Sequence, residues 1–231
     1  MKKSRTSFIA SNPGWTIILW TDRMNRNLIA TYFSWFLKYY DNYEYNIQRA
    51  DVIRYFILWM YGGIYADTDL LCKRPLDDLL REMDGNLAII KSNHLDYYSN
   101  WFIVSSKRNV FWPKVWDQLI YVYGYKHCRY CITRHFKIMA TTGPIFIDQC
   151  IKKFNPPLYK LTNGFNDCSV CDPQPCNCKD CYIINMNAGV WNSWDSKLYN
   201  KLLCTWQYMV LLLLVVFIIL VSLYPCAKNS L

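Results

Sequence analysis

The chain has 231 residues, 53% of them apolar, and 26 Lys and Arg against 17 Asp and Glu give a formal charge of +9. That length holds one compact domain of roughly 200 residues once a terminal segment is set aside, with enough apolar material for a large core. The positive charge suits phosphate-bearing ligands and anionic membrane surfaces, whereas nucleic acid is excluded: the aromatics lie along apolar faces, not interleaved in a Lys/Arg groove.

Lys2, Lys3 and Arg5 are followed by SFIASNPGW, which lacks the sustained apolar core of a signal peptide. Thr16 to Trp20 reads as a strand, and Asn25 to Tyr40 as one helix with Leu28, Phe33, Phe36 and Leu37 inward. The most informative stretch runs from Gln48 to Leu80. Its helix has Val52, Tyr55, Phe56, Trp59 and Met60 for packing, which leaves Asp51 and Arg54, three residues apart on one face, for polar work. Gly62-Gly63 permits a sharp turn. Ile64-Tyr65-Ala66 then reads as a buried strand that delivers Asp67 to its carboxyl end, where open α/β sheets bind ligands. Asp67 and Asp69, one residue apart, form a hard-oxygen clamp for a divalent cation, and the cation can hold a diphosphate. A bare Asp-x-Asp is commonly a solvated turn, and Asp51 with Arg54 a simple ion pair. The ordered series gives the pattern its meaning, a nucleotide-sugar site.

Further on, Leu76 to Arg81 reads as a short helix, Asn86 to Lys91 and Trp101 to Val104 as strands, and Val110 to Tyr121 as a helix with Pro113 in its first turn. Thr142-Gly143-Pro144 leads into a helix over Ile145 to Lys153, and Ile183 with Ile184 closes the sheet, giving an α/β domain. His94 and His135 are scattered and read as structural, and His127 stands beside Cys128 and Cys131. No Ser-His-Asp or Cys-His nucleophile set is present in the sequence.

Read together, RADVIRYFILWMYGGIYADTD and the following KRPLDDLL resemble the DXD-containing sugar transferases of glycosyltransferase family 32, the Och1-like and inositol-phosphoceramide mannosyltransferase group, with a more distant likeness to clostridial glucosylating toxins. Asn12-Pro13-Gly14 with TIILWTD, Thr142-Gly143-Pro144 and Ser193-Trp194 resemble further segments of that family. The resemblance implies a GT-A, Rossmann-like fold, Mn²⁺ or Mg²⁺, and transfer with retention of anomeric configuration. It implies that Asp69 binds the metal, that Asp67 contacts the donor ribose or the metal through water, and that Asp51 and Arg54 hold the donor's ribose and sugar. Ser193 and Trp194 would close over the diphosphate. The family's usual first strand is not matched, and where it often has a His as metal ligand this chain offers Asn185 and Asn187.

Eleven cysteines include the run Cys168, Cys171, Cys176, Cys178 and Cys181 within a Pro/Asn/Asp-rich insertion at 166–181. The spacing suits structural Zn²⁺ in a reducing compartment and disulfides in an oxidising one, and free thiols fit too. Tyr208 to Tyr224 carries no charge and as a helix spans about 25 Å, with Trp206, Tyr208 and Tyr224 as interfacial aromatics. It reads as a single-pass C-terminal anchor, with Cys204 and Cys226 beside it as palmitoylation candidates.

The expected organisation is therefore a transferase domain over 1–205, a transmembrane helix over 206–225 and a short tail over 226–231. An anchor so near the C-terminus leaves the domain cytosolic, whereas the resemblance implies an ER or Golgi lumen. The function expected is transfer of a hexose, mannose favoured by the resemblance, from a GDP- or UDP-sugar to a glycolipid, glycan or protein acceptor at a membrane. The competing class is a degenerate transferase domain kept as a membrane-tethered, Cys-rich interaction module.

Overall fold

A computed structural model describes residues 2–83, 86–91, 97–124, 133–159, 161, 165, 166, 171, 172, 176, 178–189 and 192–228, without the side chains of 124, 207–209, 211, 212 and 217–228. Two units separate, Met1–Trp191 and Asn192–Leu231.

In the first unit, helices α1 (Lys2–Ser11), α2 (Asp22–Tyr32), α3 (Ser34–Asp41) and α4 (Asn46–Tyr61) lead into β1 (Gly63–Ala66) and β2 (Leu70–Cys72). Then come α5 (Asp77–Met83), β3 (Ala88–Lys91), β4 (Tyr98–Ser105), α6 (Phe111–Gly124), α7 (Arg134–Thr141), α8 (Pro144–Phe154) and β5 (Ile183–Asn185). The mixed α/β character expected from the sequence holds. The described ladders, however, are antiparallel: β1 and β3 flank β4 in one sheet, and β2 pairs with β5 in another. A Rossmann-like parallel order is not seen among the described strands, and Ile183 and Ile184 close the small second sheet, not the main one.

Alternation along the strands places the three-stranded sheet between two cores. Tyr65, Ile89 and Ile103 face a core built from α2, α3, α4, α6 and α8. Ala88, Ile90, Phe102 and Val104 face a second, which takes Phe8 of α1, Leu70 and Cys72 of β2, and Ile183 of β5. α4 runs through the first core. Phe56 stacks on Trp116 at 4.7 Å and meets Phe33 edge-on at 4.8 Å, while Tyr55 stacks on Trp112 at 5.5 Å. Such aromatic pairs add about 0.5–1.5 kcal/mol each beyond area burial, which fixes α4's rotation and with it the direction of Asp51 and Arg54.

Two boundaries differ from expectation. Asn25 to Tyr40 is two helices, because Phe33 takes φ −136° and ψ 43° and its side chain is buried against α4 instead of continuing the helical turn. Thr16 to Trp20 joins no ladder: the segment runs extended, with Trp15 and Ile17 packed on the second core and Trp20 against Tyr61 at 5.7 Å. Its apolar residues satisfy packing rather than sheet pairing.

The second unit is built on α9, Trp194–Lys228. Most of the stretch expected to cross a bilayer has side chains outside the described set, and among the described residues no helix is long and apolar enough to cross a membrane.

Candidate functional site

Gly62 turns the chain from α4 into β1. Its φ of 70° with ψ −161° is a conformation open to glycine and strained for other residues. A Cβ there would also lie 2.7 Å from the Lys107 backbone nitrogen. The turn lets β1 run back beside the helix, so that Asp67, just past its end, arrives beside Arg54.

Arg54 is the hub. Nη2 donates to Asp51 Oδ1 at 2.8 Å, Nη1 to the Asn100 carbonyl at 2.5 Å, and Nε to the Ala50 carbonyl at 3.2 Å. Nη1 also lies 3.3 Å from Asp67 Oδ1, and the guanidinium sits over the Tyr65 ring at 4.5 Å. Burial disfavours its charge, but Tyr65, Asp67 and Asp51 outweigh that and leave its pKa raised. Asp51 is held from three sides, by Arg54, by Asn100 Nδ2 at 3.1 Å, and by Thr142 Oγ1 donating to Oδ2 at 3.1 Å. Burial raises the pKa of Asp51, and Arg54, Thr142 and Asn100 pull it back in part. Asp51 and Arg54 are 5% and 2% exposed, so this pair faces Asp67 from inside the protein.

Asp67 and Asp69 reach the surface. Asp67 Oδ1 accepts from Tyr65 Oη at 2.7 Å. About a third of its side chain is open to solvent, at 31%, yet surrounding protein pushes its pKa from 3.8 up to about 6, with Asp69 and Asp51 adding to the rise and Arg54 and Tyr65 opposing it. Asp69 is half-buried, and its Oδ2 accepts the Ala188 backbone N–H at 3.1 Å. Its carbonyl accepts the Met186 N–H at 3.0 Å. The β2–β5 ladder makes this meeting possible by pairing Leu70 with Asn185. Asn187 therefore stands within the segment that touches Asp69. It has a left-handed φ of 45°, and its N–H donates to Asn185 Oδ1 at 2.8 Å.

Two carboxylates thus share one guanidinium and a third, Asp69, raises the pKa of Asp67, an excess of negative charge that a cation would neutralise. Among the described residues no group of three or more His, Cys, Asp or Glu could hold a metal alone. Mg²⁺ and Mn²⁺ in diphosphate sites take one or two carboxylates and fill the remaining positions with waters and phosphate oxygens, so the pair Asp67 and Asp69 fits that donor set.

Thr142-Gly143-Pro144 is more than a turn. Thr142 is fully buried, its carbonyl accepts the Tyr55 hydroxyl at 2.9 Å, Gly143 caps α8 and Pro144 occupies that helix's first turn. Two residues of the network escaped the sequence reading, Asn100 and Tyr65. The signal for Asn100 is a buried-strand amide leading into the apolar run Trp101 to Val104 of β4, and Tyr65 alternates with Ile64 and Ala66 of the opposite face. Ser193 and Trp194 belong to the second unit, where Ser193 Oγ donates to Asp195 and Trp194 is exposed.

The zinc reading is corrected. Cys178 and Cys181 form a disulfide, and Cys171, Cys176 and Cys204 are disulfide-bonded too, so these sulfurs are not zinc thiolates here and Cys204 is not open to acylation. Cys168, Cys128, Cys131, His94 and His127 lie outside the described residues, and His135 is buried in α7.

Residues 1–85, which contain this arrangement up to Asp69, match the family described as glycosyltransferase sugar-binding region containing DXD motif, and over that stretch the chain is similar to these proteins. It is 39% identical over 147 residues to inositol phosphoceramide mannosyltransferase 3 of Schizosaccharomyces pombe, covering 62% of this chain and 38% of that protein. It is 40% identical over 162 residues to mannosyl phosphorylinositol ceramide synthase CSH1 of Saccharomyces cerevisiae, covering 70% and 41%. The chain therefore spans about two fifths of the length of these relatives. Among solved structures it is similar to PaToxG glycosyltransferase at 15% identity and a TM-score of 0.48, over 66% of this chain and 62% of that one.

Proposed function

We propose that the protein transfers a hexose, mannose in the first instance, from a nucleotide-sugar donor to an inositol-phosphoceramide-type glycolipid at a membrane, using Mn²⁺ or Mg²⁺. The observation that carries this reading is Arg54 joined at once to buried Asp51 and to Asp67 of the Asp67-Thr68-Asp69 pair. The names of the two relatives support the mannose and the lipid acceptor. A glycan or protein acceptor is accommodated by the same donor chemistry.

When bound, the cation neutralises the diphosphate as it departs. Asp69 would be its direct ligand, Asp67 would reach it or the donor ribose, and Asn187 lies near enough in sequence to Ala188 to offer an amide oxygen. Arg54 sets the orientation of Asp67, and Asp51 sets that of Arg54 through their ion pair. Positioned charge of this kind acts on the transition state without reorganising. A GT-A topology and retention of configuration are part of the proposal, as is closure of Ser193 and Trp194 over the diphosphate. So is the organisation into a transferase domain over 1–205, a membrane anchor over 206–225 and a tail over 226–231.

The test is release of nucleoside diphosphate from a panel of GDP- and UDP-hexoses, with and without Mn²⁺, followed by transfer to inositol-phosphoceramide in vesicles. One donor consumed only with the cation, and lipid glycosylated, supports the proposal. Folded protein that binds no donor at any cation concentration overturns it in favour of an interaction module.

A further inference from the structure

Among the described residues, the C-terminal end of the Cys-rich insertion connects to the site through a strap. The strap begins at the Cys178–Cys181 disulfide, continues as β5, and ends where Met186 and Ala188 donate their N–H groups to Asp69. Cys181 is fully buried and packs, with Cys178, against Leu71 of β2 and Ile184 of β5. Between disulfide and strand, the Tyr182 carbonyl accepts Lys73 N–H at 2.8 Å, and Arg74 lies over the Tyr182 ring at 4.4 Å with its Nη1 reaching the Asp180 carbonyl at 3.4 Å. The ladder under the strap has three residue pairs and two strands. A ribbon of that size is marginal by itself, so its register depends on what clamps its ends.

We propose that Cys178–Cys181 is a reducible dithiol–disulfide site whose redox state sets the position of Asp69, and that its reactant is a dithiol. The proposal rests on the reading of Asp69 as the metal-binding carboxylate.

The ring it closes, Cys178 to Cys181, is short, and closing a short ring removes little entropy from the unfolded chain. The bond therefore acts on the strap more than on the whole fold. Cys178 is only half-buried and Lys179 and Asp180 beside it are exposed, whereas Cys181 is fully buried, so Cys178 is the more accessible end of the bond. Among the described residues the free thiols do not compete. Cys72 and Cys150 are both buried, and burial holds both in the thiol form, with the Cys150 pKa pushed up to about 12.

In the reaction, a thiolate of the dithiol attacks Cys178 Sγ, the bond between the two sulfurs breaks, and Cys181 leaves as a thiolate that takes the proton of the dithiol's second thiol. That second sulfur attacks its own partner in the mixed disulfide, releasing Cys178, which is protonated from solvent. Two electrons and two protons pass to the protein, and the dithiol becomes a cyclic disulfide. Freed of the bond, the turn at Lys179 and Asp180 loosens, Cys181 no longer wedges Ile184 against Leu71, and the Ala188 N–H drifts from Asp69.

Purified oxidised protein is equilibrated with graded ratios of reduced to oxidised dithiothreitol. Alkylation and mass spectrometry follow the Cys178–Cys181 pair, hydrogen exchange follows the Met186 and Ala188 amides, and Mn²⁺-dependent nucleotide-sugar binding is measured at each ratio. Exchange at both amides should rise, and donor affinity fall, by about tenfold in step with reduction of that pair, the size of one lost hydrogen bond to a charged group. A Cys178→Ser/Cys181→Ser double variant should show the reduced-state exchange without dithiothreitol and respond no further. Amides that stay protected when the pair is fully reduced, or in the double variant, overturn the proposal. Exchange that follows reduction in a protein that never binds a donor supports the strap and overturns the sugar-site reading instead.

Discussion

Replacing Thr142 with Val removes one hydroxyl and keeps the side chain's shape. Thr142 is fully buried and its Oγ1 donates to Asp51 Oδ2 at 3.1 Å, while Asp51 itself is 5% exposed. No solvent stands ready to replace the lost donor. A hydrogen bond to a charged group contributes about 1.5–3 kcal/mol, and in a unit of this size each kcal/mol moves the melting temperature by about 2–4 °C. Thr142→Val should therefore lower Tm by about 3–12 °C at neutral pH, with Thr142→Ser close to wild type. The pH dependence follows from the sign of the shift. Asp51 has its folded pKa raised by burial, and Thr142 is among the groups pulling it back. Without that donor the pKa rises further, so ionised Asp51 destabilises the folded variant more than wild type, and the gap should narrow as falling pH protonates the group. The acid limb of donor binding should also move to higher pH, because ionised Asp51 is the form that pairs with Arg54. Differential scanning calorimetry across pH checks both statements. A valine variant within about 1 °C of wild type at every pH would refute the reasoning that Thr142 supports the Asp51 charge.

Asn100→Leu should be more damaging than an ordinary strand substitution, since its amide donates to Asp51 and Tyr55; a loss of about 2 kcal/mol in denaturant unfolding is expected. Gly62→Ala meets both a left-handed φ of 70° and a Cβ only 2.7 Å from the Lys107 nitrogen, and should cost about 1–3 kcal/mol in the same measurement. Asp67, with its pKa raised to about 6, favours the protonated folded form. Its contribution to metal-free stability should be fully present below the usual carboxylate value of 3.8 and decline as pH rises toward 6. Asp67→Asn should flatten that dependence in chemical denaturation at several pH values, and Mn²⁺ should reduce it in the wild type.

The central motif was legible because each part obeys a local rule. Helix spacing put Asp51 and Arg54 on one face, Gly62 marked the turn, and a short apolar run delivered Asp67. What lay beyond reach was the partnership across distance. That Asn100 and Thr142 converge on Asp51 depends on β4 and the C-terminal end of α7 packing against α4, which no local periodicity encodes. The segment Thr16 to Trp20 failed for the opposite reason. Its apolar residues are those of a strand, but tertiary packing placed it beside Tyr61 and the second core, where no strand pairs with it among the described residues. The cysteines were ambiguous in principle, because thiolate ligation and disulfide pairing share the same spacings and differ in partner geometry.

The most direct test of the account is calorimetric titration of a GDP- or UDP-hexose into the protein with and without Mn²⁺, in wild type and in Asp69→Asn. The account predicts binding in the wild type that depends on the cation and falls by at least about tenfold in the variant, while the melting temperature stays within a few degrees of wild type. Equal, cation-independent binding by both proteins would contradict it, for Asp69 would then hold neither metal nor donor.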